Sequence, residues 1–116
     1  MSTYAYWRLW VGARMGFIDL TGASTRTDEK LDQMHDGKPY EVEGLKLEVI
    51  HMHGREVGLG VIVAELSWND EIGHENVFDE KKVAEALLLV PRVKKVFGDM
   101  GMIAQVLVMH HINLGG

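Results

Sequence analysis

Two β-rich runs, Leu45–His53 and Val57–Trp68, flank the turn residues Gly54 and Arg55, and no other segment narrows the possible folds so far. Alternating apolar and polar residues joined by a short glycine-containing turn predict an antiparallel hairpin. Cross-strand partners share a face, so the hydrophobic pattern constrains the register. Pairing His51 with Leu59, Val49 with Val61 and Leu47 with Val63 gives an odd loop and an aliphatic core face below His51. The neighbouring register would mix Glu48 with Val61.

The rest of the chain supplies strands and helices around this hairpin. Tyr4–Val11 reads as a first strand, with Ala5, Trp7, Leu9 and Val11 on one face and Tyr4, Tyr6, Arg8 and Trp10 on the other. Gly12–Thr27 is a connection rich in Gly, Ser and Thr, leading to a short helix over Asp28–Asp36 with Thr27 as its cap. Gly37 and Pro39 stop that helix. A second helical stretch covers Asp79–Val96 and ends at Gly98; its first part carries Val83, Leu87 and Val90 as a buried stripe, and beyond Pro91 the apolar residues resume, rotated around the axis, at Val93, Val96 and Phe97. Pro91 must either kink this helix or begin another, because its ring collides with the carbonyl four residues back. Ile103–Ile112 reads as the last strand.

The order β-α-β-β-α-β predicts an α+β fold over residues 1–116 as one domain. The expected architecture is a ferredoxin-like sandwich, a four-stranded antiparallel sheet in the order 4-1-3-2 with two helices on one face. The uncovered face would carry Tyr6, Arg8, Trp10, Lys46, Glu48, Ile50, Met52, Gly58, Gly60, Ile62, Ala64, Leu107 and Met109. Much of that set is apolar, which points to an interface or ligand surface. Gly58 and Gly60 leave a bare strip where a backbone or flat ring can lie close. A homodimer packed through its sheets is the expected explanation.

Charge and composition exclude several classes. With 17 acidic residues against 12 Lys and Arg, the net charge of −5 opposes a phosphate backbone, so nucleic acid is not an expected partner. Exposed rings on the first strand would suit base stacking, but Val57–Val63 adds no aromatic or basic residue. No run of apolar residues is long enough for a membrane span, and Met1–Trp10 does not read as a signal peptide. The absence of cysteine excludes thiolate chemistry and fits a reducing compartment, hence an expected cytoplasmic location.

Two candidate sites emerge. The loop end of the sheet gathers Trp10, Arg14, the hydroxyls of Thr21, Ser24, Thr25 and Thr27, and the Arg55 turn, which together suit a small anion. Tyr6, Arg8, Trp10, Arg14 and Arg55 are the expected ligand-binding residues, for a small-molecule or protein partner. Gly12–Gly16 is not a phosphate loop, since it lacks the Gly-Lys-Ser/Thr ending.

At the opposite end, Asp70, Glu71, His74 and Glu75 lie within six residues. His110 or His111 at the end of the last strand can approach them, giving an alternative His/carboxylate site for a divalent metal such as zinc, manganese or iron that activates water. His51 and His53 cannot join His110 and His111 in one centre. Three strand spacings of about 4.8 Å and opposite strand ends separate the two pairs by roughly 25 Å. The leading expectation is a dimeric binding module without a cofactor, and the second is a small metal-dependent enzyme.

Overall fold

A computed structural model describes residues 4–22, 24–52, 54–67 and 79–115. Its elements run β1 (Tyr4–Arg14), a 3-10 turn (Met15–Phe17), α1 (Thr25–His35), β2 (Tyr40–Val42), β3 (Leu45–His51), β4 (Val57–Ser67), α2 (Glu80–Asp99) and β5 (Leu107–Gly115). The five strands form one antiparallel sheet in the order β2-β3-β4-β1-β5. The four strands expected from the sequence stand in the expected order. A fifth, β2, extends the edge, so the sheet has five strands rather than four. Its signal is Glu43-Gly44, where φ is +50° and +76°, the positive pair of a tight two-residue hairpin.

The hairpin of β3 and β4 has the expected faces but not the expected register. Leu47 pairs with Val61, Val49 with Leu59 and His51 with Val57, two residues closer to the turn than expected. A slip of two preserves the face of every side chain, so hydrophobic pattern alone does not distinguish the two. The turn decides: Met52 N–H donates to Glu56 C=O at 3.0 Å, and Gly54 takes φ +77°.

Both helices pack on one face of the sheet. There Leu9, Val11, Leu47, Leu59 and Val61 meet Met34 of α1 and Ala86, Val93, Val96 and Phe97 of α2. Helix α1 begins earlier than expected, because Ser24 rather than Thr27 is its cap, accepting from Thr27 N–H at 3.3 Å. Thr27 is buried in the first turn, and its hydroxyl donates to Met100 C=O at 2.9 Å. Helix α2 is continuous through Pro91. Its buried stripe is Ala86, Val93, Val96 and Phe97, with Val90 partly buried beside them; of the expected residues, Val83 and Leu87 are exposed. Leu87 is 58% exposed and Leu88 is 75% exposed.

Candidate functional site

The face of the sheet away from the helices is already furnished by the chain itself. Trp10 on β1 is fully buried, at 0% exposure, and clusters with Ile50, Met52, Ile62 and Met109. Its ring lies over Gly58 and Gly60 of β4. A Cβ on Gly58 would run into the indole, and one on Gly60 would sit 2.8 Å from its Cε3. The flat ring that the bare strip accepts is therefore Trp10 of the same chain. A bulge opposite Leu9 and Trp10 turns Ala64 toward the helix-side core, so Ala64 leaves the face on which strict alternation would put it.

Toward the far end of β1, polar groups tie this face together. Arg8 Nε donates to Glu65 Oε1 at 2.6 Å, with the Arg8 side chain 13% exposed. Trp10 Nε1 donates to His111 Nδ1 at 2.9 Å. That bond leaves the proton of neutral His111 on Nε2, a buried atom without a hydrogen-bond partner among the described residues. Burial holds the His111 pKa below its ordinary value, and the neighbouring Arg8 and His110 charges add to the effect. His110 points to the opposite face, beside Trp7 with ring centroids 5.0 Å apart, and burial lowers its pKa as well. Adjacent strand residues alternate faces, so His110 and His111 cannot both face one ligand.

The alternative metal site falls on Glu71, His74 and Glu75, which with Asp70 lie outside the described residues, as does His53. Among the described residues no group of three His, Asp or Glu side chains is placed to hold a metal ion. The side chain of Tyr6 is likewise outside them.

The loop end is arranged differently from the expected ring of hydroxyls. Thr21 Oγ1 bonds Asp19 Oδ1 at 2.6 Å, Ser24 caps α1, and Thr27 serves Met100. The long connection is pinned to the segment before β5 by two backbone bonds between Asp19 and Ile103, of 2.8 and 2.7 Å. Arg14 and Arg55, however, do come together. They line one cleft of about 440 Å³ with Phe17, His35, Glu56 and Val57. A second cleft of about 490 Å³ lies on the other side of Arg14 and Phe17, bounded by Gln105, Leu107 and Met109.

Phe17 stands between these clefts at 75% exposure, within the connection that follows β1. Its signal was faint: a lone large ring in a Gly-, Ser- and Thr-rich connection, just after Arg14. Among the described residues no helix is long and apolar enough to cross a membrane. Comparison with protein-family models, with curated proteins and with solved structures finds no match to this chain.

Proposed function

We propose that this chain is a non-enzymatic binding module that works as a pair of identical copies joined along the β5 side. A small-molecule or protein partner is held at the loop end. One observation carries the reading: three large apolar side chains stand exposed on that side, Phe17 at 75%, Ile103 at 62% and Leu107 at 45%. Phe17 and Leu107 bound one cleft, and Asp19, two residues after Phe17, bonds Ile103 in the segment before β5, whereas Leu20 lies beside α1. Clustered apolar surface of this kind marks a contact site.

Charge supports a second copy as the occupant. From Met102 to Gly116 the chain has no Lys, Arg, Asp or Glu. Across a two-fold axis each surface meets itself, so a charged strand would bring like charges together, and this one does not. Edge strands that remain single normally display charge or proline, and β5 has neither. On this reading the contact lies along the β5 edge rather than across the open face, where Trp10 is covered. We read the framework as a ferredoxin-like sandwich with β2 added at its edge, and the cysteine-free composition supports a cytoplasmic home.

Sedimentation equilibrium over a range of concentrations tests the proposal. The wild-type chain is expected at twice its 13.0 kDa mass, and Leu107→Lys at the mass of one chain with its circular dichroism unchanged. A wild-type monomer at the highest soluble concentration would overturn it.

A further inference from the structure

The cleft on the Arg14 side of Phe17 has a chemistry of its own. It opens between the end of β1, the last turn of α1 and the turn joining β3 to β4. In a chain of net charge −5, its lining carries two guanidinium groups and the His35 ring against one carboxylate, Glu56. Arg14 Nε lies 3.8 Å from Glu56 Oε2, and both side chains are about half exposed, at 49% and 58%. A pair so long and so wet is weakly held, and a better-placed anion can displace it. Arg55 is exposed and makes no ion pair or hydrogen bond among the described residues. A guanidinium offers parallel N–H donors that fit a planar or tetrahedral oxyanion. Beside these groups the Phe17 ring presents an apolar wall to water, which a flat or aliphatic body would cover favourably.

We propose that this cleft binds a small amphipathic anion, with its acid group on Arg14 and Arg55 and its apolar body along Phe17. The proposal rests on the reading of the loop end as a binding end and does not depend on the pairing of copies.

Two fluorescent probes with nearly the same body separate the contributions in the full-length protein. Anilinonaphthalene sulfonate carries a sulfonate, and N-phenyl-1-naphthylamine does not. The sulfonate is expected to bind saturably, one per chain, and to weaken by about tenfold or more in Arg14→Gln/Arg55→Gln, as loss of charged hydrogen bonds implies. The neutral amine should bind that variant as it binds wild type. Added sodium chloride should weaken the sulfonate with the wild-type protein and leave the amine unchanged. Equal sulfonate affinity in wild type and double variant, or sulfonate binding indifferent to salt, would overturn the proposal. Sedimentation of the same samples keeps the two claims apart: a monomer that still discriminates between the probes sinks the pairing and leaves the anion site standing.

Discussion

Gly58 and Gly60 lack side chains because Trp10 occupies the space above them, and the fit leaves no slack. The added methyl of Gly58→Ala would meet a buried ring rather than the tip of a mobile side chain. Its expected cost is about 1–3 kcal/mol, the range for overpacking a filled core, read as a lower urea midpoint by tryptophan fluorescence. An unchanged midpoint would mean that the indole does not rest on this strip. The glycine pair was legible in the sequence as a surface awaiting a flat group. The identity of that group was not, because alternation assigns Trp10 to a face without saying that its ring lies across the neighbouring strand.

His111 gives a second prediction at this scale. Its pKa is lowered in the folded chain, first by burial and then by Arg8 and His110, and that of His110 is lowered by burial. Below the ordinary value of 6.5 the unfolded chain therefore takes up protons more readily than the folded one. Stability is full above that value and falls as pH drops through it toward the lower folded pKa values. Urea midpoints measured between about pH 7.5 and 5.5, above the usual carboxylate range, should decline. His111→Gln should flatten that slope. A wild-type midpoint that rises or stays level across this window would contradict the described surroundings of both rings.

Among the elements, α2 departs most from its sequence reading. Ala86, Val93, Val96, Phe97 and Met100 are buried, with Leu89 and Val90 partly so, a single stripe that crosses Pro91 without changing face. Large apolar residues dominate any periodicity count, which favours Val83 and Leu87. Ala86 is the buried residue instead, and its small side chain lets the helix sit close to the sheet. Pro91 itself lies on the exposed side. It removes the bond to the Leu87 carbonyl and makes no buried contact in return. Pro91→Ala is accordingly expected to stabilise the protein by about 1–3 kcal/mol, seen as a higher melting temperature. A lower one would mean that the packing requires a bend at this position. The short β2 was missed for a related reason: three residues show too little alternation to register, and only the Glu43-Gly44 turn marks them. Arg92 and Lys95 of α2 reach that turn, at 2.8 Å to Glu43 C=O and 2.9 Å to its carboxylate, so helix and added edge strand are tied together.

For the molecule as a whole, strand order and the two-sided character of the sheet were readable from hydrophobic pattern, since each strand must put one face on the helices. Where the chain spends its remaining apolar surface was not readable, because side chains of equal hydrophobicity end in different places. Trp10, Ile50 and Met52 are covered on the open face, whereas Phe17, Ile103 and Leu107 are exposed on the β5 side. That strip carries the proposed pairing. The cysteine-free chain allows its position to be read directly by adding one thiol at a time. Ile103→Cys places a thiol within the strip, and Glu41→Cys places one on β2 at the other edge of the sheet. With a short bismaleimide, Ile103→Cys is predicted to give a covalent dimer on a denaturing gel while Glu41→Cys stays single. Linkage through Glu41→Cys alone, or through neither variant, would contradict pairing along the β5 side.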